Sequence, residues 1–138
     1  MTARTSIRTK SAASESSQAG RIALWTGKGV VALIFLATGS AKILGAPQLV
    51  RGFEQIGLGQ WFRYFTGALE ILGALLLLWP AASGLGALIL LGISVGAIFV
   101  QAFFMHGDVV HTLILSAANA GLVWANRRQL LGFLRPAS

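Results

Sequence analysis

Residues Ile71 to Gly107, ILGALLLLWPAASGLGALILLGISVGAIFVQAFFMHG, contain no Asp, Glu, Lys or Arg. A helix crossing about 30 Å of hydrocarbon needs about 20 residues, so this run is too long for one crossing. Pro80 supplies the division, because proline ends or kinks a helix, and Ala81, Ala82, Ser83 and Gly84 permit a tight turn after it. The run therefore reads as the end of one span, about Trp61 to Trp79, and the whole of another, about Gly84 to Phe104. Working outward, Trp25 to Leu44 is apolar except for Lys28 and Lys42 near its ends, and Val109 to Asn126 is a slightly short fourth block. The first block is too long for a signal peptide and lacks a small-residue cleavage pattern, so it is read as uncleaved. The expectation is an all-α integral membrane four-helix bundle.

Composition agrees. The 138 residues are 55% hydrophobic and 11% charged, where a soluble domain carries about 25% charged residues. A soluble enzyme is excluded. The 17 glycines suit closely packed membrane helices. The absence of cysteine removes disulfides, thiolate zinc and cysteine-held clusters. A net charge of +7 would suit nucleic acid only on a basic face of a soluble fold, and here the basic residues gather at the two ends, so no nucleic-acid partner is expected.

The chain divides into a basic tail at residues 1–21, a membrane domain at 22–126 and a second basic tail at 127–138. The first tail mixes Arg4, Arg8, Lys10 and Arg21 with Ser, Thr and Ala, shows no apolar periodicity and is expected to be disordered; an organellar transit peptide is the other reading of such a start. Arg4, Arg8, Lys10, Arg21, Lys28, Arg127, Arg128 and Arg135 flank one side of the four spans, against Lys42, Arg51 and Arg63 on the other. Both termini are therefore expected in the cytoplasm, and a bacterial inner membrane is the expected location. Between the first two spans Pro47 opens a short helix with Leu49, Val50, Phe53 and Ile56 on one face, Arg51, Glu54 and Gln55 on the other, and Gly57 as its stop. Such a helix is expected to lie along the outer surface, with Trp61 and Tyr64 anchoring the return into the membrane.

Glu70 stands out, because an ionised side chain at mid-membrane depth costs at least ~2.5 kcal/mol. Thr66, Gly67, Glu70, Gly73 and Ala74 share a helical face, which places the carboxyl along a small-residue seam within the bundle. Lys42 is its candidate partner, although the spacing places Glu70 roughly 13 Å below Trp61 and Lys42 near the end of its helix, so outward snorkelling of the lysine is the favoured reading. Gly92 and Gly96 form a GxxxG spacing expected to bring helices close. Thr112, Ser116 and Asn119 make a polar stripe expected to hydrogen-bond between helices. His106, Asp108 and His111 crowd one connection, but nothing fixes convergent geometry, so no metal site is expected.

Gly39-Ser-Ala-Lys42, the Phe53 to Leu58 connection and the Gly-Ala-Leu-Glu-Ile-Leu-Gly-Ala core within Gly67 to Leu77 resemble the DoxX-like family of small four-helix membrane proteins. The resemblance covers about Trp25 to Asn126, and His106 is similar to the histidine that follows the family's third span. It implies kinship with membrane subunits of quinone-linked oxidation. Lys42, Tyr64, Glu70, Gln101, His106 and Thr112 all belong to the outer half of the expected bundle, where donors and acceptors within apolar walls suit a quinone-like headgroup. The leading expectation is a redox-associated subunit that binds a quinone or similar lipophilic carrier. It would act with a redox partner subunit or as a homo-oligomer, and not as an enzyme alone. The alternative is a noncatalytic membrane interaction or scaffold protein.

Overall fold

The computed structural model describes residues 2–105 and 109–135, and all of its regular structure is helical. The elements are α1 (Thr2–Leu44), α2 (Pro47–Ile56), α3 (Gln60–Leu78), α4 (Ser83–Val100), α5 (Val110–Ala125) and α6 (Arg127–Leu134). A 3₁₀ turn, Pro80–Ala82, separates α3 from α4, and a π-helical turn, Gln101–Met105, continues α4. Three stretches are long and apolar enough to cross a membrane: Ser17–Leu44, Gln60–Leu78 and Pro80–Phe104. The apolar helix α5 is shorter, with 16 residues, about 24 Å at 1.5 Å per residue.

The division at Pro80 and the amphipathic helix after Pro47 fall where the sequence places them. Gly57 ends α2 in the left-handed conformation at φ 78°, which glycine adopts without a Cβ penalty. The first tail differs from expectation. α1 runs back to Thr2 through the segment expected to be disordered. That stretch has no proline or glycine before Gly20, and a helix nucleated in the apolar block extends upstream one residue at a time. The described side chains from Ser14 to Gly20 are exposed. The second tail carries α6, which lies over the α3–α4 turn: Gln129 Oε1 accepts from the Gly84 N–H at 2.7 Å, and Gln129 Nε2 donates to the Pro80 carbonyl at 2.8 Å.

α1 packs on α3, α3 on α4 and α4 on α5, and α5 returns lightly to α1. Two glycine pairs set the spacing. A Cβ on Gly39 would stand 2.8 Å from the Gly67 carbonyl oxygen, and one on Gly86 would stand 2.3 Å from the Leu77 nitrogen and 2.6 Å from the Gly73 carbonyl oxygen. The expected close approach at Gly92 and Gly96 does not occur: a Cβ at either meets nothing within 4 Å. The tight Pro80 turn holds α3 and α4 together at the Gly73–Gly86 level. Further on, the bulky Phe62, Phe65 and Phe99 line a cleft between the two helices. The buried core of Val31, Ala32, Phe35, Ala74, Leu77, Ala87, Leu90 and Leu122 accordingly fills the half of the bundle nearer that turn. The half nearer α2 is open.

Candidate functional site

The Gly39–Gly67 crossing brings Lys42 and Thr38 of α1 to Glu70 of α3. Lys42 Nζ donates to Glu70 Oε1 in an ion pair, and Thr38 Oγ1 donates to Glu70 Oε2 at 3.0 Å. Glu70 is 3% exposed. The snorkelling reading of Lys42 is corrected here for a geometric reason. In antiparallel helices crossing at Gly39 and Gly67, Lys42 and Glu70 lie about 9 Å apart along the axis. Each Cα–Cβ bond tilts toward its own helix N-terminus, so Lys42 leans inward and Glu70 outward, each toward the other.

A second cation completes this arrangement, and the sequence reading missed it. Arg63 is buried; its Nη1 donates to the Lys42 carbonyl, its Nε donates to Gln60 Oε1 at 2.7 Å, and Gln60 Nε2 donates to the Val50 carbonyl at 3.3 Å. The chain Val50–Gln60–Arg63–Lys42–Glu70–Thr38 thus ties α2 to α3 and α3 to α1. Its signal was present: Arg63, Gly67, Glu70 and Ala74 recur at i, i+4, i+7 and i+11, one helical face. Lys28, read only as a flanking charge, is buried as well, with Nζ donating to Asn126 Oδ1 at 3.3 Å and lying 4.4 Å from the Trp25 ring centre.

Beside this network lies a cleft of about 710 Å³, within the range of small-molecule sites. α2 roofs it with Leu49, Phe53 and Ile56, so this apolar face covers the cleft and does not simply rest on the membrane surface. Phe62, Phe65 and Leu69 of α3 face Ile89, Gly92 and Gly96 of α4 across it. Among the described residues its polar lining is Lys42, Gln48, Thr66 and Gln101. Lys42, Gln48 and Gln101 sit toward the α2 end, Thr66 lies about 9 Å down α3 from Gln60, and Leu88 lies about 20 Å below Gln101 along α4. Lys42 Nζ is 6.0 Å from the Phe53 ring centre, and Phe53 meets Phe62 at 5.9 Å between centroids.

The six candidate residues divide. Lys42 and Gln101 line the cleft, and Glu70 reaches it only through Lys42. Thr112 stands behind Gln101, its Oγ1 donating to Gln101 Oε1 at 2.8 Å. Tyr64 is exposed, with the Arg63 guanidinium 4.3 Å from its ring centre. His106 and Asp108 lie outside the described residues; His111 Nε2 is 3.2 Å from Thr112 Oγ1. The polar stripe of α5 turns inward as expected: Asn119 Nδ2 donates to Ser94 Oγ at 3.0 Å, while Ser116 Oγ and Asn119 Oδ1 are buried without a partner among the described residues.

The DoxX-like family model aligns with residues 26–126. No curated protein and no solved structure matches the chain. The aligned region runs from Thr26, at the apolar part of α1, to Asn126, at the end of α5, and contains the Gly39–Gly67 crossing, the Lys42–Glu70 pair and the cleft. The chain belongs to the DoxX-like family.

Proposed function

We propose that the protein is a redox-associated membrane subunit that holds a quinone or similar lipophilic carrier in the cleft under α2. One observation carries this reading: Lys42, Gln48 and Gln101 line the cleft at its α2 end, and the walls below are apolar apart from Thr66. A molecule with a polar ring and an apolar tail matches that gradient. Thr112 donates to Gln101 Oε1, the Gln101 amide N–H groups are the donors for a ring oxygen in this reading, and Lys42 supplies a cation that also lines the cleft. When bound, such a carrier brings electron transfer of its own, and the protein contributes binding, orientation and the exclusion of water. The electron donor is then a partner subunit, or a second copy completes the assembly.

The same reading places four spans in a bacterial inner membrane with both termini in the cytoplasm. Trp25, Trp79 and Trp124 are exposed at the end of the bundle that holds Arg21, Lys28, Arg127 and Arg128, a tryptophan belt with basic flanks as at a cytoplasmic interface. The competing reading is a noncatalytic interaction protein, favoured by the uncovered length of α1 from Ser14 to Gly20. Mass spectrometry of organic extracts from gently solubilised protein separates the two. Carrier reading: a prenylated quinone in stoichiometric amount. Interaction reading: bulk phospholipid only.

A further inference from the structure

The end of the bundle opposite the cleft carries charge that no carboxylate among the described residues neutralises. Among the described residues the Lys42–Glu70 pair is the ion pair, and Arg127 and Arg128 are exposed with no carboxylate partner. Arg127 is set in place by its own helix junction: Nη1 donates to the Trp124 carbonyl at 2.8 Å, and the guanidinium lies 3.9 Å from the Trp124 ring centre. α6 does not hang free, because Gln129 bridges the Gly84 N–H and the Pro80 carbonyl, and Leu130 and Asn126 abut Gly84. The same short helix exposes Leu131, Phe133 and Leu134. Water would satisfy the arginines and not the apolar side chains; hydrocarbon would do the reverse.

The boundary between headgroups and acyl chains satisfies both, and the charge complement of paired arginines is a phosphate. We propose that α6 is a docked interfacial helix that binds anionic phospholipid, with Arg127 and Arg128 on the headgroup phosphate and Leu131, Phe133 and Leu134 among the upper acyl carbons. Gln129 is the positioning residue that holds this surface against the α3–α4 turn. The partner is a lipid and not a soluble polyanion, because a soluble ligand would leave the three apolar side chains in water.

The test is retention of dioleoylphosphatidylglycerol against dioleoylphosphatidylcholine by the full chain, purified from mixed vesicles and read by native mass spectrometry. The expected result is selective retention of the anionic lipid, weakened about five- to tenfold or more in Arg127→Gln/Arg128→Gln and weakened in Gln129→Ala, which keeps every charge. Equal melting temperatures of wild type and the arginine variant exclude loss of fold as the cause. Absence of preference in the wild type, or full preference in the arginine variant, overturns the proposal. Wild-type preference in Gln129→Ala overturns the positioning role of Gln129.

Discussion

Lys42 and the buried Glu70 form an ion pair that joins α1 to α3, and each partner is held a second time, Glu70 by the Thr38 hydroxyl and the Lys42 backbone by Arg63. Removing one member of such a pair leaves the other uncompensated in a low-dielectric interior. Lys42→Met is expected to destabilise the protein by about 3–5 kcal/mol, and Lys42→Met combined with Glu70→Gln by much less. Denaturant unfolding in detergent reads both values. Additive losses would show that the pair is not coupled.

The glycine contacts give the next expectation. A Cβ on Gly86 would stand 2.3 Å from the Leu77 nitrogen, which is backbone and cannot swing aside, whereas one on Gly96 meets nothing within 4 Å. Gly86→Ala is expected to cost about 1–3 kcal/mol through forced separation of α3 and α4. Gly96→Ala should lie within about 0.5 kcal/mol of wild type, as a change at an open site does. Thermal melting of both variants checks the contrast, and a reversed order would place the close contact at the wrong glycine.

Legibility in the sequence followed the range of the forces involved. Spans, the Pro80 break and the α2 stop at Gly57 are written locally, in hydropathy and in residues with unusual backbone preferences. The Lys42–Glu70 contact is not legible from spacing, because Cα positions alone set the two residues at different depths, whereas the opposed tilt of Cβ on antiparallel helices closes the gap. Gly92 and Gly96 were misread for a related reason: a GxxxG spacing says a helix can be approached, and the partner's bulky side chains decide whether it is. Arg63 looked like a flanking cation until its helical register with Glu70 was set beside the α1 carbonyl that it binds.

Two buried atoms on α5 have opposite expected responses to truncation. Ser116 Oγ has no partner among the described residues, so Ser116→Ala removes an unsatisfied hydroxyl and is expected to be neutral or stabilising by up to about 1 kcal/mol. Asn119 is 0% exposed and donates to Ser94 Oγ, so Asn119→Ala loses a bond and opens a void, at about 1–3 kcal/mol. Melting temperatures decide, and a marked loss in Ser116→Ala would mean that the hydroxyl is engaged.

Sidedness is directly measurable because the chain has no cysteine of its own. Gln55→Cys on α2 and Arg128→Cys on α6 replace exposed residues at opposite ends of the bundle. With a membrane-impermeant maleimide on intact cells, Gln55→Cys is expected to label at once and Arg128→Cys only after permeabilisation. The opposite pattern would invert the topology.

Occupancy of the cleft is tested at residue level by photolabelling. A short-chain azidoquinone is expected to attach to peptides containing Phe53, Phe65 and Ile89, which line the cleft. Attachment there should fall at least tenfold in Gly92→Leu/Gly96→Leu, which fills the cleft from two open positions while sparing the core. Labelling that spreads over the exposed faces of α1 and α5, or that persists unchanged in the filled variant, would contradict a carrier site under α2.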